Sequence, residues 1–463
     1  MSLLIRNGRV VDPATATDGI LDVLIEGRRI ARVGRGLSAP GAPTIDATGL
    51  IVAPGFIDMH VHLREPGQTA KGTIETGARA AARGGFTTIC AMPNTSPVND
   101  EPDVTRQVLA LAASAAVHVL PIGALTFGSA GEALTDMAGL AAAGAAAFSD
   151  DGRCVQRAHL MRRALQTARD LGRLVSDHCE DKSLSEGGVM HEGAVSTRLG
   201  WRGIPAEAED LMVARDIILA EGVGADVHIA HLSTKGSAEL VRAAKIRGVR
   251  VSAEVTPHHL VLTDEEVGDG RDANFKVNPP LRSRDHVEAL LAAVVDGTID
   301  VFATDHAPHT PAEKALDFAA APFGMVGLET AVPILLDRLV RPGLVPLDRF
   351  IRMFSTRPAE LLRLPNEGRL AAGADADLTL LDLEAERTVR SADFASKGRN
   401  TPFEGWTLRG APVMTIVAGA VAYPFTRGLP WPNEDDPNPR ERSTSSKRSS
   451  ITVSRTGTSW PCP

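Results

Sequence analysis

Eight short apolar runs recur through the middle of the chain, and this repetition constrains the fold more than any other feature. Most runs are followed by a stretch with helical periodicity, such as AEAEDLMVARDIILAEG, as expected for parallel strands joined by helices. Such units over residues 55–365 predict an α/β fold of the (β/α)8 barrel type. The alternative, a doubly wound open sheet, usually has a glycine-rich first turn, which the sequence lacks. The runs are FIDMHVH, FTTICAM, AVHVLPIGA, AAAFSDD, RLVSDH, ADVHIAH, VRVSAEV and IDVFATD.

Strand-rich segments with tight turns occupy both ends of the chain. LLIRNGRVV and DVLIEGRRIARVG lie near the start, and ADADLTLLDLEAERTV and APVMTIVAGAVAYP lie near the end. We therefore expect residues 1–54 and 366–428 to form a small β-sandwich domain, with residues 55–365 as the barrel between them. Residues 429–463 are rich in Ser, Pro and charge, and this composition predicts a disordered tail.

The composition is that of a soluble globular enzyme and excludes several other classes. Of the 463 residues, 43% are hydrophobic and 23% are charged, which excludes a mainly disordered chain. The net charge is −8, so we expect no nucleic-acid partner. The four cysteines form no CxxC pair, which argues against a zinc ribbon and a disulfide framework.

One stretch, residues 107–131, contains no charged residue and is long enough to span a bilayer. His118 and Pro121 interrupt it, so we expect a short helix followed by a buried strand and no membrane association. The N-terminal sequence MSLLIRNGRVVDP has no long apolar segment, so we expect no signal peptide and a cytoplasmic location.

Histidine and aspartate residues cluster at the ends of five of the eight predicted strands. Because the C-terminal ends of barrel strands form one rim, these side chains should converge there. Imidazole and carboxylate groups are ligands that zinc prefers in proteins. The strand ends are DMHVH at residues 58–62, SDD at 149–151, DH at 177–178, HIAH at 228–231 and ATDH at 303–306.

The spacing within these strand ends narrows the choice of metal ligands. His60 and His62 are two residues apart, so on a strand both imidazoles point to the same side and can share one ion. His228 and His231 have opposite parity, so only one can enter the barrel. We predict His231, because it lies nearer the end of its strand.

The number of candidate ligands predicts two metal ions. A single catalytic zinc with an open position uses about three protein ligands, and the rim offers six. A carboxylate can bridge two ions. Asp151 is the predicted bridge, although the spacing alone leaves Asp150 as an alternative. The six candidate ligands are His60, His62, Asp151, His178, His231 and Asp305.

Several motifs together resemble the bacterial type I dihydroorotases of the amidohydrolase superfamily. The resemblance runs in order through the predicted barrel and covers roughly residues 1–425. HxH alone would indicate only the superfamily, whereas HLREPG with KVNPPLR and DHAPH is far more specific. The motifs are GFIDMHVHLREPG, MPNT, FSDDG, DHCED, HLST, KVNPPLR, TDHAPH and PFGMVGLE, followed by GRLAAGADADL and NTPFEGW.

The resemblance implies the reversible cyclisation of N-carbamoyl-L-aspartate to (S)-dihydroorotate and water, a step of pyrimidine synthesis. It implies two Zn²⁺ ions bridged by Asp151 and a hydroxide that acts as the nucleophile, with Asp305 as the proton shuttle. His60, His62 and Asp305 would hold one ion, and His178 and His231 the other. The implied substrate contacts are His62, Arg64, Asn94, Asn278, His309, Phe323 and Gly324.

The resemblance allows one internal test. Many members of the superfamily bridge their metals with a carboxylated lysine, but this chain has no lysine between Lys71 and Lys182. The second to fourth predicted strands therefore cannot supply one. An aspartate bridge remains, and it matches the type I branch.

Two rival functions stay open at this point. Another cyclic-amide hydrolase, an allantoinase or a dihydropyrimidinase, is disfavoured by Arg64 in HLREP and by the missing lysine. A non-catalytic dihydroorotase-like partner of aspartate transcarbamoylase would be expected to lose metal ligands, which this chain retains. For the enzyme, we expect a small-molecule substrate, a homodimer and, as a further partner that the resemblance raises, aspartate transcarbamoylase.

Overall fold

The computed structural model of the protein describes residues 2–424. The predicted tail at 429–463 lies outside the described residues. Five strands precede the barrel: β1 (Ser2–Asp12), β2 (Thr17–Glu26), β3 (Arg29–Gly34), β4 (Thr44–Asp46) and β5 (Ile51–Pro54).

The middle of the chain contributes ten strands. Eight of them form one parallel sheet, and β11 and β12 form a separate ribbon. The strands are β6 (Phe56–Val61), β7 (Phe86–Ala91), β8 (His118–Gly123), β9 (Ala147–Phe148), β10 (Leu174–Asp177), β11 (Met190–His191), β12 (Gly203–Ile204), β13 (Val227–Ile229), β14 (Val251–Val255) and β15 (Val301–Phe302).

The parallel sheet follows chain order from β6 to β15 and comes close to closing into a barrel. Val61 at the end of β6 pairs with His306, and the His62 N–H donates to the His306 carbonyl at 2.9 Å. All residues of β6 and β7 are buried, as expected for strands covered on both faces. The predicted (β/α)8 barrel is confirmed, and each of the eight apolar runs supplies one of its strands.

The connecting helices lie on the outside of the barrel and have recognisable start and stop residues. The first begins after Thr73, whose side chain accepts from the Thr76 N–H, and ends at Gly84. The helices are α1 (Ile74–Arg83), α2 (Pro102–Ala112), α3 (Met137–Ala143), α4 (Ala158–Leu171), α5 (Lys182–Ser185), α6 (Ala194–Leu199), α7 (Glu207–Val223), α8 (Lys235–Ile246), α9 (Pro257–Val261), α10 (Arg284–Asp296), α11 (Pro311–Lys314), α12 (Ala331–Leu335), α13 (Leu347–Phe354) and α14 (Thr356–Leu362). A π-helical turn, Leu336–Val340, extends α12, and short 3₁₀ turns cover Phe127–Ser129, Asp264–Val267, Ala273–Phe275 and Ser391–Asp393.

The uncharged stretch 107–131 forms the end of α2 and the strand β8, as predicted. No helix within residues 2–424 is long and apolar enough to cross a membrane.

Three strands follow the barrel: β16 (Leu378–Thr388), β17 (Thr407–Val417) and β18 (Ala420–Tyr423). They join the first five in one sheet, because β16 pairs antiparallel with β5. Buried residues of both chain ends, among them Ile5, Val23, Leu380 and Ile416, form its core. The two termini therefore build one β-unit, as predicted, and it packs beside the barrel.

The N-terminal end of the barrel is filled by aromatic side chains. Phe56 and Phe86 are the first residues of β6 and β7, and they pack against Phe354 of α13 with ring centroids 5.3 and 5.6 Å away. Because this end is plugged, the polar strand ends at the opposite rim define where chemistry can occur.

Candidate active site

The six predicted metal ligands lie together at the C-terminal rim of the barrel. His60 lies on β6 and His62 directly after it, and the other four follow the ends of β9, β10, β13 and β15. All six side chains are buried. The structure thus brings together the complete predicted set: His60, His62, Asp151, His178, His231 and Asp305.

The first half of the cluster surrounds the two histidines of β6. His60 Nε2 lies 3.2 Å from Asp151 Oδ1, and His62 Nε2 lies 3.5 Å from Asp151 Oδ2. Asp305 Oδ1 lies 3.0 Å from His62 Nε2 and 3.6 Å from His60 Nε2. Two imidazoles and two carboxylates therefore surround one small volume.

The second half contains His178 and His231. His178 Nδ1 and His231 Nε2 are 2.9 Å apart and lie 3.8 and 3.7 Å from Asp151 Oδ1. Within this cluster two groups could each hold a metal ion, His60 with His62 and Asp151, and Asp151 with His178 and His231. Asp151 is the member that both groups share.

The hydrogen bonds distinguish Asp151 from its neighbour Asp150. Asp150 Oδ1 accepts from the N–H groups of Leu125 and Thr126, and its Oδ2 accepts from the Thr126 hydroxyl. Asp150 is thus engaged in holding the loop after β8, whereas Asp151 faces the histidines.

Two carboxylates that the sequence analysis missed orient the histidines from behind. Glu254 on β14 accepts from His60 Nδ1 at 2.7 Å, and Glu180 accepts from His178 Nε2 at 2.8 Å. An ionised carboxylate only accepts, so the proton of each imidazole lies on that outer nitrogen. Glu254 lies inside the apolar run VRVSAEV, and Glu180 lies in the motif DHCED. A carboxylate within a predicted strand or motif was the sequence signal that could have indicated their role.

These contacts leave nitrogen lone pairs pointing at acceptor oxygens. His60 Nε2 and Asp151 Oδ1 are buried and have no hydrogen-bond partner although they are close together. His62 donates through Nδ1 to Asn94 Oδ1 at 2.9 Å, which turns its Nε2 lone pair toward Asp305. Acceptors that face each other in a dry site repel unless a cation lies between them. The donor set therefore fits bound metal ions.

The charges of the neighbouring side chains also favour a cation at this cluster. Although burial opposes it, the carboxylates of Asp151 and Glu254 raise the pKa of His60 well above its usual value, so they favour positive charge at this imidazole, whether from a proton or from a metal ion. Against the effect of burial, the nearby imidazoles lower the pKa of Asp151 and that of Asp305. Both carboxylates are therefore ionised at neutral pH and available to a cation.

Three candidate residues have backbone conformations that are unusual for residues other than glycine. The φ angles of Arg64, His231 and Asp305 are 67°, 30° and 46°. Such positive values cost conformational energy and concentrate at functional sites. They also turn the chain sharply just beyond the strand ends, which aims these side chains at the rim.

A cavity of about 200 Å³ opens above the metal ligands. Arg64 lies on its wall, where its Nε donates to the Pro308 carbonyl at 3.1 Å and its Nη2 contacts His309 Nε2 at 3.3 Å. Asn278 Nδ2 donates to Glu180 Oε2 at 2.9 Å. The cavity is lined by every substrate contact that the resemblance implied: His62, Arg64, Asn94, Asn278, His309, Phe323 and Gly324.

Comparisons with known proteins agree with this architecture. A family model described as amidohydrolase family matches residues 207–423. L-hydantoinase (dihydropyrimidinase) from Arthrobacter aurescens superposes with a TM-score of 0.83 at 27% identity, over 92% of this chain and 97% of that one. D-hydantoinase (dihydropyrimidinase) from Thermus sp. superposes with a TM-score of 0.78 at 30% identity, over 91% and 95%. The fold and the rim therefore define an amidohydrolase.

Sequence relatives narrow this class further. A model described as dihydro-orotase-like matches residues 49–237. The dihydroorotase of Pelotomaculum thermopropionicum is 57% identical over 91% of this chain and 98% of its own length. That of Solibacter usitatus is 50% identical over 93% and 98%. The chain belongs to the dihydroorotase family and is a cyclic-amide hydrolase, as the motifs predicted.

Proposed function

We propose that the rim holds two Zn²⁺ ions bridged by Asp151 and that the enzyme there interconverts N-carbamoyl-L-aspartate and (S)-dihydroorotate. The observation that carries the proposal is that Asp151 belongs to both groups of candidate ligands. His60, His62 and Asp305 would hold one ion, and His178 and His231 would hold the other. Zinc bound there supplies hydroxide at neutral pH and polarises the amide carbonyl.

Arg64 recognises the carboxylate of the substrate. Its hydrogen bond to the Pro308 carbonyl uses one of the five N–H donors of the guanidinium, and the contact with His309 fixes its plane at the cavity wall. A planar guanidinium can form a paired hydrogen bond with a carboxylate. Asn94, Asn278, His309 and the Phe323–Gly324 main chain add neutral contacts that orient the ring.

Asp305 moves the proton. It lines the cavity and lies 3.0 Å from His62, so it can face both a metal ligand and the reacting amide. During ring opening its carboxylate would accept the proton of the attacking nucleophile and deliver it to the departing ring nitrogen. Its lowered pKa keeps it in the basic form that this role requires.

The proposal also covers the domain boundaries, the location and the assembly of the protein. We place the domain boundaries at 54/55 and 365/366, and we place the enzyme in the cytoplasm. Homodimer formation and association with aspartate transcarbamoylase stay predictions.

Turnover of three cyclic amides by the purified, zinc-loaded chain tests the proposed substrate. Dihydroorotate carries a carboxylate that Arg64 can bind, whereas allantoin and dihydrouracil do not. We expect turnover of dihydroorotate and at most traces with the other two. Faster hydrolysis of allantoin or dihydrouracil would assign the site to one of the rival cyclic-amide hydrolases.

A further inference from the structure

The segment between β16 and β17 leaves the terminal sheet and lies on the rim of the barrel. Its residue Asn400 is buried, with 4% of its surface exposed. The Val326 N–H donates to the Asn400 carbonyl at 2.9 Å, which attaches the segment to the loop that carries Phe323 and Gly324. A part of the C-terminal region thus reaches the candidate active site.

The carboxamide of Asn400 connects two walls of the cavity. Its Oδ1 accepts from the His309 N–H at 3.1 Å. Its Nδ2 donates to the carbonyls of Ala307 and Gly324 at 3.0 and 3.1 Å. Both donors of the amide and one acceptor site of its oxygen are therefore used on main-chain groups.

Each of the three partners, Ala307, His309 and Gly324, lines the cavity, whereas Asn400 itself lies behind the lining. Ala307 and His309 belong to the loop after β15, and Gly324 belongs to the next loop along the chain. One side chain thus sets the distance between two loops that would face the substrate.

Close packing leaves this segment little freedom to move. A Cβ atom added to Gly398 would lie 2.7 Å from Pro308 Cβ and 2.8 Å from Val326 Cγ1. Pro308 is the residue whose carbonyl accepts from Arg64. The segment therefore supports the wall that holds the guanidinium as well as the one that holds Gly324.

We propose that Asn400 is a positioning residue for substrate recognition, which fixes the walls around His309 and Gly324 at the separation that the substrate needs. This inference rests on the proposed function. Because Asn400 lies behind the cavity and away from the metal ligands, its loss should weaken substrate binding more than it slows the chemical step.

Asn400→Ala, measured with dihydroorotate, tests the inference. A displacement of a binding group by about 1 Å can lower the efficiency of an enzyme by up to about 100-fold. We therefore expect KM to rise at least about 10-fold. We expect kcat to stay within about 3-fold of the wild type and the zinc content to be unchanged. Asn400→Ser keeps one hydrogen-bonding group and should give an intermediate KM. If the alanine variant fails to fold, the serine variant tests the inference in its place.

Asn99→Ala is the matched control. Asn99 is also buried and donates through Nδ2 to a main-chain carbonyl, that of Ile122 at 2.7 Å, but it does not line the cavity. We expect a lower melting temperature with an unchanged KM. If folded Asn400 variants show this same pattern, Asn400 is merely structural and the inference is wrong.

A crystal structure of the zinc-loaded Asn400→Ala enzyme gives a readout that does not depend on activity. We expect the main chain of His309 and Gly324 to move apart relative to the wild type. Walls that stay in place would overturn the inference even if the wild type is active. A wild type that does not turn over dihydroorotate would instead overturn the proposed function.

Discussion

The two ends of the barrel both carry charged side chains, but they balance the charge in different ways. At the N-terminal end, Asp300 accepts from Lys245 at 2.5 Å and from Arg357 at 3.0 Å. Asp226 there lies 3.0 Å from Arg250. At the C-terminal rim, the carboxylates of the cluster face imidazoles, and buried acceptors lack partners. These ion pairs at the N-terminal end are balanced by charges of the chain itself, whereas the rim fits an added cation.

The difference assigns stability to the N-terminal end of the barrel and function to the C-terminal rim. Ion pairs formed within the chain need no ligand and add modestly to stability. Unpartnered acceptors cost folding energy, so they are expected where a ligand or metal supplies the missing interaction. Two aspartates on either side of β15, Asp300 before it and Asp305 after it, allow the comparison to be tested with one kind of substitution.

The largest effect should come from Asp305→Asn. The amide keeps the shape and a weak oxygen ligand but removes the base, so kcat should fall by roughly 10²–10⁴-fold or more. KM should change less, because Arg64 and Asn94 are untouched. The rate and the zinc content are measured together: a fully loaded variant with nearly normal kcat would end the proton-shuttle assignment. Recovery of the rate with excess zinc would make Asp305 only a metal ligand.

Arg64→Lys should have an intermediate effect. The charge is kept, but an ammonium group cannot form the paired hydrogen bond of a guanidinium with a carboxylate. We expect KM for dihydroorotate to rise roughly 10-fold. Steady-state kinetics check this, with Arg357→Lys at the opposite end of the barrel as the matched control. An unchanged KM in Arg64→Lys would remove Arg64 from the substrate site.

Asp300→Asn should have the smallest effect on catalysis. It leaves Lys245 and Arg357 without their shared carboxylate, so the free energy of unfolding should fall by about 1–3 kcal/mol. Both kcat and KM should stay at wild-type values, because the affected groups lie at the end of the barrel remote from the rim. Denaturant unfolding and kinetics measure the two quantities. A large loss of kcat would contradict the separation between the two ends.

Strand parity predicted that His60 and His62 point to the same side, and in the structure the Nε2 atoms of both lie within 3.5 Å of Asp151. Parity could not choose between Asp150 and Asp151, because β9 ends at Phe148 and the chain then turns. Only the hydrogen bonds of the Leu125–Thr126 loop to Asp150 distinguish them.

Two other features were beyond the reach of local patterns. Glu254 looks like any single polar residue in a buried strand until the fold places β14 next to β13 and across the barrel interior from His60 of β6. Asn400 contacts His309, which is 91 residues away in sequence, and no short-range periodicity indicates that the segment folds back onto the rim. Motif resemblance located the substrate loops, but it did not show what holds them.

The claim that the rim is built around two cations that share one carboxylate is tested most directly by the zinc content of the wild type and of Asp151→Ala. Both proteins are reconstituted with zinc, freed of loosely bound metal and measured by plasma emission spectrometry. The account predicts about two zinc ions per chain in the wild type and about one or fewer in the variant. A wild type that stays near zero, or a variant that keeps about two, would contradict it.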